Sequence, residues 1–189
     1  MKKNILITFV LHIAISLLYY PSTFAIDSIL NYIEKLINPE IEFSTSGAGI
    51  VTWLISTIVF TYVLYVIAGR LFLKPIDEKK SNFISVWMLS VALIFISFIN
   101  AIYGTIDKVA DDTQFLFVYM NPIGNSFRFL FYNFPGVHND PYYIILFIVF
   151  PFSAFLTSAC LWLGLMLKVR KIQKRRKKSL NVNGEIRAN

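Results

Sequence analysis

Cysteine is almost missing from this chain, and charge is missing where a soluble protein would carry it. Cys160 is the single cysteine in 189 residues. No intramolecular disulfide can form, and no CxxC or Cys/His spacing is available to a zinc ion or a redox pair. Only 15% of the residues are charged, and they are bunched rather than spread. A phosphate-binding Gly-rich loop, a zinc-protease HExxH and a Gly-x-Ser-x-Gly nucleophile turn are all absent, which removes the commonest hydrolytic chemistries. There is no Asn-x-Ser/Thr glycosylation acceptor, no internal repeat, and no low-complexity stretch apart from a basic C-terminal tail.

Apolar surface takes the place of charge. Hydrophobic residues make up 56% of the chain, including 18 Phe, 10 Tyr and 3 Trp, and the mean hydropathy is +0.61. That composition belongs to membrane proteins. Four runs approach the ~20 residues that cross a ~30 Å hydrocarbon core as a helix: 4–26, 50–73, 83–103 and 142–167. Three hold no charged residue, and the second holds only Arg70, near its end. Lipid offers no partners to backbone N–H and C=O groups, and unbroken apolarity excludes the alternation of a barrel strand, so the runs read as helices. The expected fold is an all-α integral membrane bundle of four transmembrane helices. Residues 1–168 form the membrane domain and 169–189 a disordered basic tail. Pro151 should bend the fourth helix, which Asn139 or Asp140 would cap ahead of Pro141.

The cations set the orientation. Lys2 and Lys3, the segment 70–82 and the tail carry fifteen of the 18 Lys and Arg residues. Positive residues resist translocation, so these segments belong in the cytoplasm and both termini face inward. The opening KK, the apolar run from Ile5 to Tyr20, and Thr23 and Ala25 before a cut after Ala25 also match a secretory signal peptide. The run is slightly long for that role and carries His12, and its retention as a first span is the reading adopted. Residue 27 emerges outside in either case. Ile26, Ile29, Leu30, Ile33 and Ile37 fall on one face of a short amphipathic helix starting near Asp27 or Ser28, as an interfacial helix would.

Candidate functional residues are few. His12 is the one ionisable group deep in a span, and Thr8, His12 and Ser16 recur every four residues on one helix face. They form either a proton-sensitive stripe or, as favoured here, an interhelical hydrogen-bond seam. Ser153, Thr157, Cys160 and Gly164 make a face of small residues suited to close helix packing. Tyr19, Tyr20, Tyr65, Trp53, Trp87, Tyr103, Tyr142 and Tyr143 read mostly as interfacial anchors; Trp162 does not fit that pattern. The tail residues Lys171, Lys174, Arg175, Arg176, Lys177 and Lys178 read as contacts to anionic lipid headgroups, and the tail lacks the aromatics of a nucleic-acid site.

The loop 104–141 is the least ordinary segment. Phe115, Phe117 and Tyr119 alternate, as do Phe127, Phe129 and Phe131, around the turn sequence MNPIGN. The stretch 114–134 fits a hairpin or a helix equally well, and either version covers the outer end of the bundle with aromatics. Asp111, Asp112 and His138 are its acid/base candidates. Three functions stay in view, and none requires a cofactor or metal. A non-enzymatic accessory, regulatory or immunity-type protein of a bacterial plasma membrane, binding a membrane partner or hydrophobic ligand through this loop, leads. An oligomeric transporter or channel subunit and a lipid-directed enzyme follow. A reporter fused after Asn189 is expected to be active only in the cytoplasm and one inserted at 104–141 only outside; alkaline phosphatase and fluorescent-protein fusions read both.

Overall fold

The computed structural model describes residues 1–37, 47–76, 78–106 and 150–188. The loop aromatics Phe115, Phe117, Tyr119, Phe127, Phe129 and Phe131, the candidates Asp111, Asp112 and His138, the capping pair Asn139 and Asp140, and the choice between hairpin and helix at 114–134 all lie outside these residues.

The described chain is helical: α1 (Lys2–Ile37), α2 (Gly47–Phe72), α3 (Lys79–Ile106) and α4 (Phe150–Ala188). Each contains a segment long and apolar enough to cross a membrane. Neighbours in sequence run antiparallel. Asn4 of α1 meets Lys74 beyond the end of α2, and Thr23 meets Trp53 near its start. Ser90 of α3 bonds Ala154 of α4, and Ser158 reaches back to Val86. The helices stand in the order α1, α2, α4, α3 around the bundle; α2 and α4 make the most extensive pairing.

Two helices are much longer than a bilayer crossing needs. At 1.5 Å per residue, the 36 residues of α1 reach about 54 Å, and the hydrocarbon needs only about 30 Å. The stretch 26–37 is helical, as its periodicity suggests, yet it continues α1 directly instead of starting afresh at Asp27 or Ser28. Asn31 Nδ2 donates to Asp27 Oδ2 at 3.1 Å, an i, i+4 pair inside the helix. Pro21 lies within α1 and removes one backbone donor. Just beyond it, Ser22 and Thr23 donate their hydroxyls to the Tyr19 and Tyr20 carbonyls, both at 2.6 Å. At the other end of the chain, α4 runs on through the basic stretch to Ala188, where a disordered tail was expected. Lys, Arg, Gln and Leu are strong helix formers, and no proline follows Pro151.

The bundle is apolar outside and substantially polar inside. Leu6, Val10, Leu17, Val59, Val63, Val91, Phe95 and Phe155 all point outward and are exposed. The buried set joins Ile15, Leu54, Val86, Leu89, Leu161 and Leu165 to Thr8, His12, Ser16, Thr57, Thr61, Ser85, Ser90, Ser153, Thr157 and Ser158. A hydroxyl can be buried here because it bonds a carbonyl of its own helix one turn back. Thr8 does so to Asn4, Thr57 to Trp53, Thr61 to Thr57, Ser97 to Leu93 and Thr157 to Ser153, all at 2.8–2.9 Å. Small residues on the inner face let the helices approach while large apolar ones point outward.

The tightest approach is at two glycines. A Cβ on Gly69 would overlap the Leu161 carbonyl, and one on Gly164 would overlap the Val66 carbonyl and crowd the Arg70 nitrogen at 2.7 Å. Those neighbours are backbone, which cannot swing aside as a side-chain end would. Gly164→Ala is therefore expected to destabilise the bundle by about 1–3 kcal/mol, the usual cost of overpacking. Leu17→Ala, on the outward face, is expected to change it far less. Thermal unfolding in detergent, followed by tryptophan emission, compares the two.

Candidate functional site: a polar seam and a clamped turn

The polar stripe of α1 begins one turn earlier than Thr8. Asn4, Thr8, His12 and Ser16 are all buried, each four residues from the last, so they line one helix face. That face looks into the bundle between α2 and α3.

His12 is the centre of the seam. Its Nδ1 lies 2.8 Å from the phenol oxygen of Tyr65 on α2, with the two rings stacked at a centroid separation of 6.0 Å. Tyr65 is completely buried. Its position near the end of an apolar run had suggested an interfacial anchor, and the structure corrects this: the phenol turns inward because a hydrogen-bond partner waits there. Tyr19, placed in the same interfacial class, is also buried, at 4% exposure. The His12–Tyr65 bond works in either tautomer, with the phenol donating to Nδ1 or Nδ1–H donating to the phenol. Thr8 adds a long contact to the Ser85 carbonyl of α3 at 3.4 Å, so the stripe touches both neighbouring helices.

At one end the seam meets a turn built from side-chain to backbone bonds. Between α2 and α3 the chain must expose carbonyls and amides that no helix satisfies. Asn4 Nδ2 donates to the Lys74 carbonyl at 2.6 Å, and its Oδ1 accepts the Lys74 N–H at 3.2 Å. Asn82, in the first turn of α3, does the same for Ile76: its Nδ2 donates to the carbonyl at 2.5 Å and its Oδ1 accepts the N–H at 2.9 Å. Lys168 Nζ of α4 donates to the Leu71 and Leu73 carbonyls at 3.1 and 2.8 Å, a cation placed at a helix C-terminus where the dipole favours it. Thus each of the other three helices sends one side chain into the turn that closes α2.

The other candidates separate. Lys171, Lys174, Arg175 and Arg176 are exposed on the extension of α4, and Lys177 and Lys178 continue the same helix. Of the small-residue face, Ser153, Thr157 and Gly164 are buried and Cys160 is half-buried. Trp162 sits on a flank of α4 facing α3, edge-on to Phe83 at 6.3 Å. Phe83 in turn stacks on Trp87 at 5.2 Å, and Trp87 packs on Phe155 at 4.5 Å. Among the described residues no group of three His, Cys, Asp or Glu side chains is placed to hold a metal ion.

Sequence reasoning missed Asn4, Asn82 and Lys168 as a set. Asn82, seven residues after Pro75 at the start of α3, was the one local signal; Asn4 lies 70 residues from the turn it closes. The seam links helices through hydrogen bonds, with the His12 imidazole and the Tyr65 phenol at its centre. In a double-mutant cycle, His12→Ala and Tyr65→Phe are expected to couple by about 0.6–1.7 kcal/mol in detergent unfolding, the range of buried hydrogen bonds between membrane helices. Strict additivity would dissolve the pair as an energetic unit.

No protein-family model, no curated protein and no solved structure matches this chain.

Proposed function

We propose that this is a four-span protein of a bacterial plasma membrane, with both termini in the cytoplasm, that acts without catalysis. It is an accessory, regulatory or immunity-type protein that engages a membrane partner or a hydrophobic ligand through the aromatic loop 104–141. The observation that carries this reading is what the polar side chains of the bundle do. Ser90 and the His12–Tyr65 pair join helices to one another, and Asn4, Asn82 and Lys168 hold the turn between α2 and α3. They form a scaffold, and binding is left to the surfaces at its ends. The outer end carries Phe115, Phe117, Tyr119, Phe127, Phe129 and Phe131 in the sequence, a density of aromatics suited to gripping an apolar partner. The inner end carries fifteen of the 18 cations, which fits anchoring to anionic headgroups in the cytoplasmic leaflet.

A photoreactive amino acid at Phe129 in native membranes is expected to yield one discrete adduct, protein or lipid. Phe127→Ser with Phe131→Ser is expected to abolish it while the protein stays at wild-type abundance. Persistence of the adduct in that double variant overturns the role of the loop.

An oligomeric transport or channel subunit is the second reading, favoured by the buried polar stripe Asn4, Thr8, His12 and Ser16, which runs about 18 Å along the inner face of α1. A strictly monomeric protein in mild detergent counts against it.

A further inference from the structure

We infer that the groove between α3 and α4 at the cation-rich end of the bundle seats one anionic phospholipid of the bilayer. The groove encloses about 840 Å³ and runs along the flank of α4 that carries Trp162, Met166, Arg170 and Arg176. Its two halves differ in chemistry. Toward the middle of the bundle the floor is Phe83, Trp162 and Met166. Toward the end, the rim is Lys79 and Lys80 from the first turn of α3 with Arg170 and Arg176 from α4. No carboxylate is among its described lining residues.

That order matches a phospholipid. Trp162 and Arg176 are 14 residues apart on one helix, about 21 Å along its axis, the span of a headgroup and the upper part of an acyl chain. The cations lie beyond Lys168, whose ammonium marks the end of α2, and the aromatics lie on the hydrocarbon side of it. Phe83 is 48% exposed, although it is stacked on Trp87 and meets Trp162 edge-on. A large ring held rigid by two indoles while half its surface stays open offers an acyl chain a flat wall. Four cations, with no carboxylate among the described lining residues, attract a phosphodiester of net negative charge and repel the choline of a zwitterionic lipid. Trp162, which fits no pattern of interfacial anchors, has its place here as the floor of the groove.

The flank of α4 nearer α2 provides the internal comparison. There Arg70, Arg170, Lys171, Lys174 and Arg175 line a second recess of about 700 Å³ whose one large apolar residue is Leu167. It is as basic as the first but lacks an aromatic floor, so it draws headgroups only through diffuse attraction.

The inference rests on the membrane placement proposed above, and the experiment reads the two separately. The full chain is reconstituted in phosphatidylcholine vesicles containing a small fraction of phosphatidylglycerol with dibrominated acyl chains, which quench nearby indoles. Dibrominated phosphatidylcholine at the same fraction is the reference. The anionic lipid is expected to quench with roughly fivefold higher apparent affinity or more, and Trp162→Phe should remove most of that excess. Lys79→Gln with Arg176→Gln should bring the ratio close to one. Lys171→Gln with Lys174→Gln, an equal loss of charge on the other flank, should leave it unchanged. Equal quenching by the two lipids in the unaltered protein, or the same loss in both double variants, overturns the site. Release of the unaltered chain from the vesicles by carbonate overturns the membrane placement itself.

Discussion

The turn after α2 is the constraint on which the remainder of the bundle depends. A helix that ends at the membrane surface leaves carbonyls without partners, and here the chain must reverse within a few residues. Asn4, Asn82 and Lys168 supply those partners from three different helices. An asparagine side chain presents a donor and an acceptor in the geometry of a peptide group, so each forms a two-bond pair with one backbone residue. At about 1 kcal/mol net per hydrogen bond, the six bonds of the turn are comparable with the burial of two or three large side chains. They also fix the register of all four helices at once, which non-directional apolar packing cannot do.

From that end the seam extends inward. Asn4 begins the stripe that continues through Thr8 to His12, and His12 finds Tyr65 on the helix whose end Asn4 helps to close. Farther across the bundle, Gly69 and Gly164 bring α2 and α4 into backbone contact, and Ser90 and Ser158 stitch α4 to α3. Each device solves the same problem. Between helices in lipid there is no hydrophobic gain from hiding leucine, because the tails outside are equally apolar. Cohesion comes instead from close packing and from hydrogen bonds between polar groups, so the small and polar residues go inside.

Much of this was legible beforehand because of that inversion. Four apolar runs gave the helix count, and a polar residue recurring every fourth position in an apolar helix marked the inner face of α1. Tyr65 was not legible as part of the seam, since a tyrosine near the end of a span also suits the headgroup region. Only a partner across the bundle distinguishes the two, and His12 lies 53 positions away. Asn82 and Lys168 were obscured for a related reason: polar residues at span ends are ordinary, and their importance lies in which carbonyls they reach. The stretch 26–37 is helical as expected but has no separate start: Asp27 and Ser28 had read as caps, and α1 runs through them, and through Pro21, to Ile37.

What the sequence alone determined is the kind of helix: apolar length follows from composition and order, and it dictates four helices long and apolar enough to cross a membrane, whatever their arrangement. Tertiary structure alone decided which polar side chains meet. Bonds such as Asn4 to Lys74 and Lys168 to Leu73 span 70 and 95 residues. A hydrogen bond needs donor and acceptor within about 3 Å, and no local pattern brings such distant residues to that distance; only the packing of one helix against another does.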